Sequence, residues 1–479
     1  MSMWTTDTVA QALLPLVGDR GLLQGSDMAS YEQGARYGHG KALCVVRPAN
    51  VQEVQAVVRW CATHHIALVP QGANTGLVGS STPDDSATQV VLSTSRLRNV
   101  CEVDAANRSV TVDAGITLQE LNEKLEPHGL WFPIDLGANP SVGGMVAANT
   151  GGTRLIRYGD VRHNLLALQT VLLNPQGELL DMGRALRKDN TGPDLKQLFV
   201  GTSGAGAIIT RATLEVHRKP QQSATALVVP TSDEAVLQLL QALERDLGDY
   251  LSAFEGLSGH AMQAAIDHVP NLRNPFAPEP APDFAILIEL EAASSKAYTG
   301  LDLQDTLNLF LQDQFEQTID NAVIGNGHEL WHLRHSISEG ARALGKPIAF
   351  DVSVPRSRIM DFCRAARAVV AQDFPFLHVV DFGHIADGGV HFNVIWRSDA
   401  SQAYDPAVVS ALRDRIYAMV VQDFAGSFSA EHGVGPHNVA YYRQYTPPPA
   451  RRLAQGLRQL MDPQQLCGTV DFGDSSAAV

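Results

Sequence analysis

The sequence has few cysteines, no long apolar run and little positive charge, and each shortage excludes a class of protein. The cysteines are odd in number and scattered, so we expect reduced thiols rather than disulfides or a zinc ribbon. A net charge of −15 leaves no basic surface for nucleic acid or anionic lipid. No apolar run reaches the ~18–20 residues of a membrane span, and Met1–Trp4 does not begin a signal peptide. We therefore expect a soluble, cytoplasmic protein without a nucleic-acid partner or a membrane span.

The chain is long and rich in turn residues. Its 479 residues allow two or three domains, and 40 glycines with 25 prolines indicate many loop junctions. Helix and strand signals alternate over residues 1–218, where Thr117 and Glu120 form a capping box for a helix. The pattern of helix and strand signals changes near Arg218–Pro220. This predicts a first domain over 1–218, a second over 219–425 and a C-terminal segment over 426–479 that closes the site.

The second domain carries its own helix and strand signals. Thr231 and Glu234 predict the cap of a helix that runs to Leu247, and Phe284–Leu290 predicts a strand. A further helix is expected from about Thr299 to Phe315. The proline-rich run over 274–282 indicates a surface loop inside the domain rather than a linker between domains.

Two short runs concentrate chemistry-bearing side chains. The run Gly383–Asn393 contains His384, His391 and Asn393, and Glu431-His432 follows about forty residues later. Side chains alternate along a strand, so His391 and Asn393 should share a face. Two histidines and a carboxylate can hold Zn²⁺, Mn²⁺ or Fe²⁺, and a third histidine can act as a base near neutral pH.

Each residue of these runs, taken singly, could instead have a purely structural role. His384 or His391 alone would be interpreted as a turn or core histidine, and Asp387 as a turn former before two glycines. Three other histidines, at 332, 335 and 437, have no matching context and are predicted to be surface or packing residues. The hypothesis of a site depends on the complete cluster and on a second signature upstream.

That second signature consists of three glycine-rich runs, 70–81, 132–152 and 194–210. In the first, the density of glycine lets backbone N–H groups turn toward one anion, as a pyrophosphate requires. It is neither a Gly-x-Gly-x-x-Gly fingerprint nor a P-loop, and alone it could be a glycine-rich turn. Small residues in the later runs would let backbone approach a flat ring.

In order and spacing, these runs resemble the FAD-binding domain of the vanillyl-alcohol-oxidase/p-cresol-methylhydroxylase superfamily. Within it, the chain resembles the D-2-hydroxyacid dehydrogenases that act on D-2-hydroxyglutarate, D-lactate or glycolate. The similarity extends from about Val45 to Pro463 and includes the phrase Leu251–Glu255. It implies an α+β protein with a two-subdomain FAD-binding domain and an α+β substrate (cap) domain built on an antiparallel sheet.

The resemblance implies which residues hold FAD, and we expect the cofactor to be bound non-covalently. The implied residues are Gly72, Ala73, Asn74, Thr75, Gly76, Leu77, Gly79, Ser80, Pro133, Asp135, Leu136, Ser141, Gly143, Gly144, Asn149, Gly151 and Ile209. The sequence departs from the family at Ser203 and Gly206, where members usually have an acidic residue and a leucine.

The resemblance also implies the reacting residues. It makes His384, His391 and Glu431 ligands of a divalent metal, usually zinc, and His432 the base. A hydroxyacid needs a carboxylate clamp, and Arg334 matches the family's substrate arginine, with Ser338 as a further contact; a solvated helix residue is the alternative for Arg334. Asn393 would orient the substrate or the metal's surroundings.

One departure concerns the substrate's side chain. The 2-hydroxyglutarate enzymes tend to have lysine where this chain has Ala349, and Lys346 would have to reach in from three residues earlier. A monocarboxylic D-2-hydroxyacid is therefore expected at least as much as 2-hydroxyglutarate.

The expected activity is oxidation of a small D-2-hydroxyacid to a 2-oxoacid. Electrons would pass to a soluble flavoprotein, a cytochrome or a quinone, because no nicotinamide motif is present. The family's habit suggests a homodimer. Two alternatives stay open: an oxidase of the same fold that uses oxygen and another alcohol, and a flavin-binding paralogue with a degraded site.

Overall fold

The computed structural model describes residues 4–473. The start at Met1 and the closing run Ser475–Val479 lie outside the described residues. Within this range the chain builds three main sheets with helices packed on them.

The first sheet lies near the N-terminus. Its strands are β1 (Leu22–Leu23), β2 (Ala42–Val46), β3 (Leu68–Gln71) and β4 (Gln89–Ser93), in the order β1-β2-β4-β3. Strands β2, β4 and β3 are parallel and almost entirely buried. Two helices, α1 (Thr6–Val17) and α3 (Val51–His64), pack their apolar sides against them. A short α2 (Ala29–Glu32) precedes β2.

The second sheet is antiparallel. Its strands are β5 (Cys101–Asp104), β6 (Ser109–Asp113), β8 (Leu165–Leu172), β9 (Leu179–Gly183) and β10 (Ala207–Glu215), in the order β5-β6-β10-β8-β9. The predicted capping box starts α4 (Leu118–Leu125). Also near this sheet are α5 (Val142–Ala148), α6 (Leu155–Tyr158) and α7 (Val161–Asn164), and β7 (Leu130–Trp131) pairs with β11 (His217–Arg218).

The third sheet has seven antiparallel strands and forms the wall of the site. They are β12 (Gln222–Pro230), β13 (Leu251–Ser258), β14 (Phe284–Ala292), β15 (Ile319–Ile324), β16 (Gly345–Ser353), β17 (His378–His384) and β18 (Gly389–Arg397). Their order is β15-β12-β14-β13-β17-β18-β16. This antiparallel sheet and the mixed helix–strand content confirm the predicted α+β class.

Both faces of this sheet are buried by helices, so its strands have few exposed positions. One face packs on α9 (Gly259–His268) and α12 (Gly327–Leu344). The other packs on α8 (Asp233–Leu247), α11 (Leu303–Gln314), α13 (Ile359–Asp373) and α14 (Pro406–Ala418). β13 is buried at every residue, which makes any charged side chain on it dependent on a partner.

Two predicted helix boundaries in this domain are wrong. The helix predicted to be capped by Thr231 is capped by Ser232, whose Oγ accepts from the Ala235 N–H at 3.2 Å. The helix expected from about Thr299 to Phe315 is α11, which begins at Leu303, whereas Thr299 is the last residue of a separate short helix, α10 (Lys296–Thr299). Gly300 ends α10 with φ 71°, and Asp302 caps α11 by accepting from two backbone N–H groups.

The C-terminal segment returns to the first sheet. A loop that carries Glu431 and His432 follows α14 and leads to α15 (Val439–Tyr445) and α16 (Pro448–Met461). The Leu68 N–H then donates to the Leu466 carbonyl at 2.7 Å, and the Gly468 N–H donates to the Leu68 carbonyl at 2.8 Å. The end of the chain is thus joined to β3, next to the first glycine-rich run.

The free cysteines agree with the expectation of reduced thiols. All five cysteines are free thiols, and four of them are buried. Among residues 4–473, no helix is both long and apolar enough to cross a membrane.

Candidate active site

A cavity of about 1100 Å³ extends from the first glycine-rich run to the seven-stranded sheet. Thirteen of the predicted cofactor residues line it, together with residues of β16, β17 and β18. These residues are Gly72, Ala73, Asn74, Thr75, Gly76, Leu77, Ser80, Asp135, Leu136, Ser141, Gly143, Gly144 and Ile209. The three glycine-rich runs, distant in sequence, therefore face one space.

The backbone at the first run forms a cradle that a side chain would fill. A Cβ at Gly72 would lie 2.3 Å from the Ser141 Oγ, which itself accepts from the Gly144 N–H at the start of α5. Asn74 has φ 57°, and its side-chain amide donates to the Ser30 and Gln33 carbonyls. Its side chain thus holds the loop, and the residue lines the cavity. These features fit the pyrophosphate of FAD.

Four predicted cofactor residues do not line this cavity: Gly79, Pro133, Asn149 and Gly151. The Asn149 side chain is occupied elsewhere, because its amide donates to Asp160 at 2.7 Å and its oxygen accepts from the Arg162 N–H. Gly79 packs on Gly38. Asn149 has φ 52° and Gly79 has φ 77°, backbone conformations that favour these two residue types.

At the other end of the cavity, three imidazoles converge on one carboxylate. The Glu431 Oε1 lies 3.8 Å from the His384 Nε2, 3.4 Å from the His391 Nε2 and 3.7 Å from the His432 Nε2. His384 ends β17, whereas His391 and Asn393 lie two residues apart on β18. The structure thus brings together the three predicted metal ligands, the predicted base and Asn393.

Two buried carboxylates hold these imidazoles from behind. Glu255 on β13 accepts from the His384 Nδ1 at 2.7 Å, and Asp351 lies 3.5 Å from the His432 Nδ1. Asp351 also accepts from the backbone N–H groups of Glu431 and His432 at 3.0 and 2.7 Å. A carboxylate at Nδ1 leaves the Nε2 lone pair free for a metal, an arrangement common at histidine ligands.

The donor set fits a divalent metal. The His384 Nε2 is buried and has no hydrogen-bond partner among the described residues. Ligand atoms of Asp351, His391, Glu431 and His432 also lie within 4.8 Å of one another. We favour His384 over Asp351 as a ligand, because Asp351 already accepts two backbone hydrogen bonds and does not line the cavity. Imidazole nitrogens with one carboxylate suit zinc.

Charges in this cluster are strongly coupled. Burial opposes ionisation of Glu255, but His384 and Arg334 outweigh it and lower the pKa of Glu255 to about 2. Burial likewise disfavours the charged form of His384, yet Glu255 and Glu431 raise its pKa well above the usual value. Burial and neighbouring cations lower the pKa of His391 well below that value. Glu255 is therefore ionised at neutral pH.

Arg334 is buried, so the solvated-helix alternative is wrong. Its Nε donates to the Glu255 Oε2 at 2.8 Å, its Nη2 lies 2.7 Å from the same oxygen, and the guanidinium lies over the Phe382 ring. Its Nη1 has no hydrogen bond to another described residue, and Arg334 lines the cavity. Ser338, one turn later on α12, lines the cavity too. Both can face a bound acid.

Several lining residues escaped the sequence interpretation. His335, predicted to be a surface or packing residue, lines the cavity, stacks on Trp331 and lies 3.7 Å from Asp135. Arg36 and Arg342 line it as well. Arg334, Ser338 and Arg342 are spaced four residues apart on one helix, and this spacing was a signal that Arg342 faces the same side as the other two.

Two other sequence interpretations concern single side chains. Lys346 does not reach the cavity, because its Nζ lies 3.5 Å from the centre of the Tyr404 ring. Asp387 accepts from the Gly389 N–H at 2.8 Å, which is the predicted turn-forming role.

Comparisons with known proteins agree with this geometry. Residues 42–183 match the FAD binding domain family, and residues 219–469 match the C-terminal domain of the FAD linked oxidases. The chain is 34% identical to a mitochondrial D-2-hydroxyglutarate dehydrogenase of Bos taurus, over 89% of this chain and 76% of that protein. It is 32% identical to the D-2-hydroxyglutarate dehydrogenase of Xanthomonas citri pv. viticola, over 88% of each. The crystal structure of p-cresol methylhydroxylase shares the fold, with a TM-score of 0.74 at 14% identity, over 96% of this chain and 95% of that chain.

Proposed function

The chain belongs to the FAD-linked D-2-hydroxyacid dehydrogenases, and we propose that it oxidises a D-2-hydroxyacid at a metal ion held by His384, His391 and Glu431. The observation that carries this proposal is the convergence of three Nε2 atoms on the Glu431 Oε1, at the end of a cavity that fits a flavin. The residues around the cavity would hold FAD as the acceptor of the Cα hydride, and His384, His391 and Glu431 would hold a metal ion that would supply Lewis-acid polarisation of the α-hydroxyl.

The protein's own groups position the acid. Arg334 is held rigidly by Glu255, so the free Nη1 can hold the α-carboxylate without first ordering a flexible side chain. Ser338 offers a hydroxyl on the same side of α12, and Asn393 offers an amide two residues beyond His391. Together they fix the Cα–H bond in one orientation, which is how one enantiomer would be selected.

His432 takes the proton of the α-hydroxyl. With its Nδ1 turned toward Asp351, the Nε2 is the atom available to accept that proton. The charge it gains is stabilised by Asp351 and by Glu431. The product is the 2-oxoacid, and the electrons leave to a soluble flavoprotein, a cytochrome or a quinone.

The test is anaerobic. Purified protein containing FAD is mixed with matched D- and L-2-hydroxyacids, and the flavin absorbance near ~450 nm is followed with and without a chelator. Bleaching by a D-acid alone that the chelator prevents supports both the flavin and the metal. Bleaching that persists after complete metal removal rejects the metal's role. No bleaching by any acid, with FAD and metal bound, rejects the proposal, and rapid reoxidation in air would favour an oxidase.

A further inference from the structure

The loop over 429–438, which carries Glu431, is held together by its own hydrogen bonds. The Ser429 Oγ and the Asn438 side-chain amide both donate to the Gly433 carbonyl, at 2.8 and 3.0 Å. The Asn438 side-chain oxygen accepts from a further backbone N–H of the loop at 2.9 Å. These bonds close the loop, called the Glu431 loop below, on itself. A contact that fixes one end of it therefore also fixes the position of the other end.

The Glu431 loop packs on the first glycine-rich run. The Val78 carbonyl accepts from the His437 N–H at 3.2 Å, and a Cβ at Gly435 would lie 2.5 Å from the same carbonyl oxygen. Gly435 is buried, and Val78 lines the cavity. Because a side chain at Gly435 would collide with Val78, only glycine lets the loop and the run come into direct contact here.

The other two glycine-rich runs contact the loop as well. A Cβ at Gly151 would lie 3.7 Å from the Glu431 Oε2, and a Cβ at Gly433 would lie 3.4 Å from the Ser203 Oγ. Ser203, one of the two departures from the family pattern, lines the cavity. The three runs that fit the cofactor therefore also support the loop that carries the proposed metal ligand.

An aromatic stack holds the end of the loop against the segment before β2. The Tyr37 and His437 rings have their centroids 3.5 Å apart and lie 9° from parallel. Burial and nearby arginines lower the pKa of His437 to about 3, so the stacked imidazole is neutral at neutral pH. The Tyr37 hydroxyl accepts from the Arg413 Nη2 at 3.0 Å, and the next residue, Gly38, packs on Gly79 of the first run. The stack thus joins the Glu431 loop to the segment that supports this run.

We propose that FAD and the metal ion bind cooperatively, and that Tyr37 and His437 are the positioning residues that couple their two sites. This inference rests on the proposed function. A ligand that fixes the backbone of the first run also fixes Val78, and through Val78 the loop that places Glu431 beside the three histidines. The metal site is then ordered at a smaller cost in conformational entropy. By linkage, the metal ion strengthens FAD binding by the same factor.

The experiment is a binding cycle with zinc as the probe. Calorimetry measures the zinc Kd of the full-length protein with FAD bound and after reversible removal of FAD. The zinc signal of this site is the part that Glu431→Gln removes. Flavin fluorescence measures the FAD Kd with zinc and with a chelator. For the wild-type protein we expect each ligand to tighten the binding of the other about 5–150-fold, by the same factor in both directions.

The variants test whether the stack carries the coupling. Tyr37→Ala and His437→Ala should bring the coupling factor close to 1, whereas His437→Phe, which keeps a ring against Tyr37, should retain most of it. The matched control is His64→Ala, because His64 stacks on Trp60 with centroids 4.4 Å apart and does not line the cavity. The control should keep the wild-type factor.

Each outcome decides a different part of the inference. Equal zinc affinity with and without FAD overturns the coupling and leaves the proposed function standing. A wild-type factor in both alanine variants overturns the role of the stack. If the alanine variants do not fold, His437→Phe decides, because loss of the factor at wild-type stability in urea also overturns that role.

The proposed function fails in a separate way. If no D-acid reduces the flavin while the zinc and FAD affinities are linked, the coupling stands and the proposed function falls. Zinc that binds neither form of the protein rejects the metal site, and the inference with it.

Discussion

Replacing Glu255 by glutamine should have different effects on His384, the proposed metal ligand, and on Arg334, the proposed substrate-binding residue. Glu255 accepts from the His384 Nδ1 with one oxygen and from Arg334 with the other. A glutamine side chain has about the same volume as glutamate, but in place of two acceptor oxygens it has one acceptor oxygen and one donor NH₂ group. If its oxygen stays with Arg334, its NH₂ group faces the His384 Nδ1, which must then accept. The proton moves to the His384 Nε2, the atom that would bind the metal.

The size of the effect follows from the burial of the pair. Glu255 is 1% exposed, and a pKa lowered from 4.5 to about 2 corresponds to roughly 3 kcal/mol of stabilisation by its partners. This matches the ~3–5 kcal/mol usually lost when one partner of a buried ion pair is removed. This contribution is complete above about pH 4.5 and is lost as the pH falls toward 2. We also expect metal affinity to fall about 10–100-fold.

The assay needs a control that loses a buried ion pair away from the metal. Asp381→Asn on β17 removes the partner of Arg367, whose Nη2 donates to it at 2.7 Å, and does not touch the cavity. Urea unfolding and calorimetric zinc titration are measured for both variants. Both should be destabilised, but only Glu255→Gln should lose metal affinity and flavin reduction by a D-acid. Wild-type metal affinity in Glu255→Gln would refute the reasoning.

Three further outcomes are expected. His432→Ala should slow flavin reduction by about 10²–10⁴-fold while the protein keeps FAD, and a normal rate in a stopped-flow trace would remove it as the base. Arg154→Leu should lower the unfolding free energy in urea by about 3–5 kcal/mol, because it leaves the buried Glu289 and Glu291 and the partly buried Asp135 without their shared cation; an unchanged midpoint contradicts this. Burial lowers the pKa of His217 to about 4, so its contribution is present above pH 6.5 and is lost as the pH falls toward 4. His217→Gln should remove about 1–3 kcal/mol of the acid-induced loss measured between pH 7 and 4.5, and an identical pH profile contradicts this.

Sequence-based predictions are most accurate for features formed by residues that lie close together in the chain. His391 and Asn393 share a strand face because of the two-residue period, and Thr117 caps its helix because the capping box is local. For the same reason the glycine runs pointed to the cofactor cavity. The error at Thr231 is of a different kind, because two adjacent hydroxyl residues compete for one cap and only backbone geometry selects Ser232.

Local sequence patterns do not predict contacts between residues that are far apart in the chain. Glu255 is 129 residues from His384, and nothing local marks it as the acceptor for that imidazole. Arg36 comes from the segment before β2, yet the fold brings it to the cavity beside α12. Two signals were available for Glu255: it ends the phrase Leu251–Glu255 that carries the family resemblance, and its apolar neighbours make a charged side chain there dependent on a partner.

The metal position tests the account most directly. Crystals of the FAD-loaded protein, grown with zinc, should be measured on both sides of the zinc absorption edge. The account predicts one anomalous peak about 2.0–2.2 Å from the His384 Nε2, the His391 Nε2 and a Glu431 oxygen, with His432 unbound. A peak held instead by Asp351 and His432, or fully active crystals with no peak among these residues, would contradict it.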